Sequence, residues 1–257
     1  MNPNKRGAID LNDNKPREKV AVVSGGSSGI GLALVTALSK QGYRVLTCGR
    51  DAAKLQRLEQ KVAGVTGYVC DVSDRATVRG LAAKVLAEYP AIDLLISNAG
   101  GLNEIDFAAP DLDAVDLTAD LRVNLEGAIH LIASFMPGLR RAAPASILVV
   151  SSGYALAPAT RAPIYSASKA ALHSLCKSLR IQLGPLRIGV TELLPPLVDT
   201  PAVAHRQGKK LSAEAVASAA LDGVHRGAKE VCPGDVRWLP LLLRLAPTMA
   251  EGFVAKT

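Results

Sequence analysis

Aromatic residues are scarce in this chain, with three Phe, five Tyr and one Trp among 257 residues. The 49% apolar content must therefore build its core from Ala, Val, Leu and Ile, a composition suited to a parallel sheet covered by helices on both faces. Cysteine is also sparse. Cys48, Cys70, Cys176 and Cys232 are far apart and form no CxxC pair, which argues against a disulfide framework or a zinc site. Cys48 and Cys70 fall in or at the end of predicted core strands, where a free Cys acts as a small hydrophobe. His130, His173, His205 and His225 show no ligand spacing, so structural roles and no metal are expected. No apolar run approaches the ~18 residues that cross a bilayer, and no charged-then-apolar leader opens the chain. These absences predict a soluble, cytoplasmic protein without an integral membrane segment. The net charge of +7 contains no block of like charges. It reads as a scattered excess, although it also suits an anionic cofactor or an acidic protein partner; with no RNA-binding aromatic signature, nucleic acid is not an expected partner.

What is present is a rhythm of short apolar strands and amphipathic helices. Residues 1–17, rich in Asn, Lys and Asp, read as a flexible extension. Strands are predicted at Lys19–Ser24, Arg44–Gly49, Val65–Cys70, Ile92–Ser97, Ser146–Ser151 and Leu186–Leu193. Helices are predicted at Leu32–Gln41, Asp51–Val62, Asp74–Tyr89, around Asn124, at Pro163–Leu183 and at Ser212–Arg226. Asp74 has the character and position of an N-cap. Such alternation implies a parallel sheet with right-handed crossovers. Residues 18–257 thus read as one doubly wound α/β domain.

The first strand runs directly into Gly25-Gly26-Ser27-Ser28-Gly29-Ile30-Gly31 and then a helix. Strand, glycine turn and helix together make a dinucleotide site: the backbone can approach a pyrophosphate and the helix N-terminus offers it free N–H groups. At the end of the second strand, an acid would bind a ribose 2′-hydroxyl. This chain has Gly49-Arg50-Asp51 instead. Gly49 leaves room and Arg50 can grip a 2′-phosphate, which favours NADP(H) over NAD(H). The competing reading makes Arg50 a solvated loop residue and Asp51 an N-cap.

The remaining chemistry lies between Ser151 and Lys169. Tyr165 and Lys169 are four residues apart and share a helix face. Ser152 follows the buried run Ile147–Val150, at the carboxyl edge where open α/β sheets bind ligands. Ser151 competes for that role, but the spacing from Tyr165 favours Ser152. A phenol, an ammonium and a hydroxyl gathered there can pass a proton to or from a carbonyl or alcohol oxygen. Bringing a phenol of pKa about 10 down to neutral pH needs about 4 kcal/mol of preference for phenolate. The lysine, an oxidised nicotinamide and a helix N-terminus are expected to supply it.

With SGGSSGIG, NAG, the strand-end serine and YSASK in order, the chain resembles the short-chain dehydrogenases/reductases over about Lys19–Lys229. LLISNAG, SKAALHSLCKSLRIQL and TELLPPLVDTP more narrowly resemble the reductases named for the D-alanine esterification operon. The Pro195-Pro196 pair before a TP is also similar to ketosphinganine reductases. The resemblance implies a Rossmann-type fold with Tyr165 as general acid/base, Lys169 as its partner and a ribose ligand, Ser152 orienting the carbonyl, and Asn124 anchoring a proton-relay water. Asn124 read by itself can equally cap local backbone. Gly25, Ser27, Ser28, Gly29, Ile30 and Gly31 would line the cofactor phosphates. Asp71 and Val72 would meet the adenine, Asn98, Ala99 and Gly100 the adjacent ribose, and Val198 and Thr200 the nicotinamide carboxamide. Ser97 and Pro196 depart from the family pattern, and Pro196 removes a backbone donor. Helices containing Asn124 and Tyr165 pair between subunits in the family, which implies a homodimer or homotetramer.

The expected reaction is interconversion of a small-molecule carbonyl and alcohol with NADP(H). Residues 197–257 are expected to form a substrate lid and an apolar tail, with Trp238–Leu243 at the substrate mouth or a subunit interface. Two alternatives are carried: reduction of a carrier-bound or long-chain 3-ketoacyl group, and a non-catalytic nucleotide-sensing protein.

Overall fold

A computed structural model describes residues 17–203, 206, 208 and 210–255. The predicted N-terminal extension lies outside these except for Arg17, whose guanidinium pairs with Asp93 at 2.6 Å. His205 is likewise outside.

Seven strands form one parallel sheet: β1 (Val20–Ser24), β2 (Arg44–Gly49), β3 (Val65–Val69), β4 (Leu94–Ser97), β5 (Ala145–Val150), β6 (Ile188–Leu193) and β9 (Glu230–Val231). Their order is β3-β2-β1-β4-β5-β6-β9. The chain moves outward from β1 to β3, returns to β4 beside β1, and then moves the other way. The reversal falls between β1 and β4, and a crevice opens there at the carboxyl ends of the strands. A short parallel pair, β7 (Val198–Asp199) and β8 (Leu211–Ser212), stands apart from the sheet.

Strand alternation sorts the core into two layers. Val20 and Val22 face one layer, and Ala21 and Val23 face the other. The first layer holds α3 (Arg75–Glu88), α4 (Gly127–Ala142) and α5 (Pro163–Leu183), centred on Phe135, Leu131 and Leu172. The second holds α1 (Gly29–Lys40), α2 (Ala52–Lys61) and α6 (Ala213–His225), with Leu34, Leu38 and Val216 at its centre. Cys48, Cys70 and Cys176 are buried among these apolar groups. Asp51, Asp74 and Ser212 cap their helices through side-chain oxygens that accept backbone N–H bonds. No helix of the described residues is long and apolar enough to cross a membrane.

Several local readings change, and the two-residue strands β7, β8 and β9 were not expected. Helix α1 begins at Gly29 rather than Leu32, because the end of the glycine turn is already helical. Strand β6 begins at Ile188 rather than Leu186, because Gly184–Leu186 forms a 3-10 turn that Arg187 closes in the left-handed region at φ 58°. The apolar tail is divided by prolines into a 3-10 turn (Gly234–Trp238), α7 (Leu239–Leu245) and α8 (Pro247–Ala255).

Two glycines make opposite predictions. A Cβ at Gly31 would meet the carbonyl oxygen of Gly25 well inside contact distance, so the first turn of α1 and the glycine loop touch only because no side chain intervenes. Gly31→Ala should destabilise the fold by about 1–3 kcal/mol through enforced backbone displacement. Gly80, exposed inside α3, has nothing within 4 Å of its virtual Cβ. There Gly80→Ala should stabilise by about 0.5–1 kcal/mol. Urea unfolding of the two variants and the parent measures both; equal midpoints for all three would contradict the packing described.

Candidate active site

Every side chain singled out for cofactor or catalysis lines one cavity of about 1290 Å³ at the topological reversal. The glycine turn from Gly25 to Gly31 forms one wall, Arg50, Asp71 and Val72 one end, and Asn98 to Gly100 the floor with Asn124. Ser152, Tyr165, Lys169, Val198 and Thr200 lie on the same cavity.

At the turn, Ser28 is the N-cap of α1, but its side chain makes no capping bond. The first N–H groups of α1 therefore retain their capacity for an anion. Gly49 has only Ser27 Oγ, 3.8 Å away, near its virtual Cβ, so the end of β2 is open. The Asp51 carboxylate accepts the Lys54 N–H at 2.9 Å and is committed to capping α2. Arg50 and Lys54 both line the cavity at this end; Lys54 was not singled out from the sequence. Burial works to raise the pKa of Asp71. Two bonds from Ser73, at 3.0 and 2.7 Å, and the charge of Arg50 outweigh burial and keep the carboxyl below its usual value.

At the other end, α5 brings Tyr165 and Lys169 under the last residue of β5. The Lys169 ammonium donates to the Val150 carbonyl at 3.0 Å and lies 5.4 Å from the Tyr165 ring centroid. The Ser152 hydroxyl is near enough to the Tyr165 phenol to pull its pKa down and accepts the Tyr154 N–H at 3.2 Å. Ser151 instead turns its hydroxyl to the Lys169 carbonyl at 3.4 Å. This geometry separates the two serines: one faces the phenol, the other fastens α5 to β5. Tyr154 packs edge-on against Tyr165, with ring centroids 6.2 Å apart.

Among the protein's own groups burial dominates and pushes Tyr165 up to about 12, with Ser152 pulling the other way; the lowering expected from the sequence depends on the oxidised nicotinamide as well as on Lys169. Burial also pushes Lys169 down to about 8, against the opposing charges of Asp120 and Glu192. Desolvation disfavours the charged form of each group, so the protein alone holds a protonated phenol.

Asn124 lies in a π-helical turn, Leu121–Glu126, that leads into α4. Its amide clasps Gly101, donating to the carbonyl at 3.0 Å and accepting the N–H at 3.1 Å. A Cβ on Gly100 would stand 2.6 Å from Asn124 Oδ1, so this approach needs glycine. Backbone clasping, one of the two sequence readings, is thus present.

Several residues at the site were missed from the sequence. Asp120 is buried, holds Asn103 by bonds of 3.1 and 2.7 Å, and acts on both Tyr165 and Lys169. Its only sequence signal is its position four residues before Asn124 on one helix face. Glu192 is fully buried and accepts His173 Nδ1–H at 2.8 Å, which gives His173 a structural partner. Ligand atoms of His173, Glu192 and Glu230 lie within 4.8 Å of one another. The Arg180 guanidinium is 3.7 Å from both carboxylates and supplies the cationic charge a metal would bring.

Comparison with known proteins agrees with this architecture. The sequence profile of the family described as short chain dehydrogenase matches residues 19–210. The uncharacterized oxidoreductase DltE of Bacillus subtilis is 35% identical over 223 residues, 84% of this chain and 88% of that one. An uncharacterized short-chain type dehydrogenase/reductase of Sinorhizobium fredii, y4eK, is 36% identical, covering 72% of this chain and 71% of its own. Among solved structures, a short chain dehydrogenase from Burkholderia cenocepacia in complex with NADP superposes with a TM-score of 0.82 at 26% identity, over 94% of this chain and 99% of that one. A short chain dehydrogenase/reductase from Burkholderia phymatum in complex with NAD gives 0.78 at 26% identity, over 89% and 95%. A chain with this sheet, this glycine turn and these relatives belongs to the short-chain dehydrogenase family of oxidoreductases, in the company of DltE.

Proposed function

We propose that this protein is an NADP(H)-dependent carbonyl reductase, working as an alcohol dehydrogenase in reverse. The observation that carries the reading is the meeting of the Ser152 hydroxyl, the Tyr165 phenol and the Lys169 ammonium on one cavity with the glycine turn. A nicotinamide bound in that cavity supplies or accepts the hydride. The Tyr165 phenol gives its proton to the carbonyl oxygen as charge develops there. Ser152 donates a hydrogen bond to the same oxygen. Lys169, one helix turn away, stabilises the phenolate that remains and holds the cofactor ribose. Asn124 fixes the π turn beside Lys169 and anchors a water through which the phenol is reprotonated.

NADP(H) is preferred because Arg50 and Lys54 border the adenosine end, while the neighbouring acid, Asp51, is engaged as a helix cap. Similar proteins hold NADP in one case and NAD in another, so the preference rests on these side chains. Asp71 and Val72 meet the adenine, Asn98, Ala99 and Gly100 the ribose, and Val198 and Thr200 the carboxamide. The segment after Pro196 covers the substrate, and its working form is a dimer or tetramer through α4 and α5, where Ile129 and Ile181 are exposed. The apolar wall of Trp238, Leu239, Leu242 and Phe253 favours, as a second reading, a long-chain or carrier-bound ketone.

Tyr165→Phe should lower turnover by about 10²–10⁴-fold with NADPH affinity nearly unchanged, as read by NADPH absorbance across a panel of ketones and by cofactor titration. Retained turnover would refute Tyr165 as the acid. Lys169 is charged below about pH 8 and neutral above it, whereas Tyr165 stays protonated up to about 12. The rate of ketone reduction should therefore fall as pH rises through about 8, and Lys169→Met should abolish that limb; a profile flat from about pH 6 to 10 in the parent would exclude this role for the ammonium. Arg50→Ala should raise KM for NADPH about tenfold and leave that for NADH unchanged. Identical cofactor selectivity in parent and variant would remove Arg50 from the 2′-phosphate site.

A further inference from the structure

Two arginines converge on one carboxylate at the catalytic end of the cavity. Arg206 lies beyond β7, and Arg161 lies four residues before Tyr165 in the approach to α5. Arg206 donates to Glu104 Oε1 at 2.7 Å, and Arg161 Nε lies 3.4 Å from the same oxygen, an ion pair without hydrogen-bond geometry. Arg206 is only 5% exposed at its side chain. All three residues line the cavity together with Ser152 and Tyr165. Burial raises the Tyr165 pKa, and Arg206 is among the groups that pull it back, so its charge is felt at the phenol.

One negative charge thus serves two positive ones. The Nε of each arginine is shielded from solvent and has no hydrogen-bond partner among the described residues. A guanidinium cannot escape that situation by losing its proton, and buried donors without acceptors are exceptional in folded proteins. Asp120, the buried acid nearby in charge, is occupied by Asn103. Asp235 also lines the cavity but forms no ion pair with either arginine. Arg161 and Glu104 keep a solvent edge, at 38% and 49% side-chain exposure, so the local deficit is acceptors for the two shielded Nε donors and full charge compensation for the buried Arg206. A carboxylate supplies both, in the planar geometry that guanidinium groups match.

We propose that Arg161 and Arg206 form a carboxylate-binding subsite, and that the substrates are ketones bearing a carboxylate and an apolar body. The carbonyl would lie at Ser152 and Tyr165, and the apolar body against Trp238, Leu239, Leu242 and Phe253. The inference rests on the carbonyl-reductase reading above. The carboxylate takes no part in the bond changes: the carbonyl carbon gains the hydride, its oxygen gains the Tyr165 proton, and the acid group remains ionised. Glu104 is its competitor for the two guanidinium groups.

The test uses matched pairs of aliphatic keto acids and their methyl esters, the carbonyl placed from the second to the sixth carbon, with NADPH as reductant. At least one acid should exceed its ester in kcat/KM by about tenfold or more, since a site built to bind a charged oxygen discriminates strongly against a group lacking it. Arg206→Gln and Arg161→Gln should each collapse that acid-to-ester ratio, and Glu104→Gln should raise it. A fault confined to folding would lower both substrates and leave the ratio intact, which would overturn the subsite, as would a ratio near one for every pair in the parent. Trp238 is the only tryptophan of the chain and lines the cavity, so its fluorescence reports binding without turnover in Tyr165→Phe with NADP⁺ added. Arg206-dependent binding of keto acids with no reduction of any ketone by the parent would uphold the carboxylate subsite and refute the reductase reading. Reduction of esters with no acid preference and no acid binding would do the reverse.

Discussion

A lysine ammonium buried to 4% exposure beneath a parallel sheet is the constraint on which the site depends. An unpaired charge there would be prohibitive, and the surrounding structure is arranged to prevent that. The Val150 carbonyl at the end of β5 accepts its bond at 3.0 Å. Asp120 and Glu192 supply opposing charge from two other elements. Ser151 fastens the lysine's own carbonyl to the same strand end. Helix α5 is thereby held to β5 at both backbone and side chain, and Tyr165, one turn earlier, has its position set by a neighbour's solvation problem. Glu192 carries that role further, since it also binds His173 and lies near Arg180. The polar groups along this part of α5 thus form one network, although Glu192 Oε1 has no hydrogen-bond partner among the described residues.

Small residues let this network sit beside a nucleotide-sized cavity. The Asn124 amide reaches Gly101 only because Gly100 has no side chain. The same substitution of contact for bulk occurs where Gly31 meets the Gly25 carbonyl. A chain poor in aromatics achieves close backbone approach in this way, with Phe135 filling the centre of the helix layer on the far side. The π turn at Leu121–Glu126 belongs to the same economy of space. It carries Asn124, which lines the cavity.

Local signals explain what was legible in the sequence. Strands β1 to β6 were visible as apolar runs while the two-residue strands β7, β8 and β9 were not, the caps Asp51 and Asp74 are satisfied within three residues, and the glycine turn carries its own context. The four-residue spacing of Tyr165 and Lys169 needs only a helix to give it meaning. The partners that set the electrostatics were not legible, because they are distant in the chain. Arg206 and Glu104 are separated by 102 positions, and nothing near either announces the other. Asp120 carries no distinguishing signal in the sequence beyond its spacing from Asn124, yet burial makes it a neighbour in charge of both Tyr165 and Lys169. The sequence displays the lysine one turn from Tyr165, but not the burial that pushes the phenol up.

Net charge proved a weaker guide than the commitment of individual charges. Among the described residues, the cavity is lined by five cationic side chains, Arg50, Lys54, Arg161, Lys169 and Arg206, and by four acids, Asp51, Asp71, Glu104 and Asp235. The near balance hides an asymmetry. Asp51 caps a helix, Asp71 is held by Ser73, and Glu104 is shared by two arginines. Arg50 and Lys54 lie at the end of β2, while Arg161 and Arg206 meet at Glu104 and the charge of Arg206 reaches the phenol, so cationic capacity is divided between two parts of one crevice. The proposed dinucleotide phosphate would account for the first concentration and leaves the second unexplained. On the proposed reading, a ligand lying between Tyr165 and the two guanidinium groups would be chosen by charge as well as by shape.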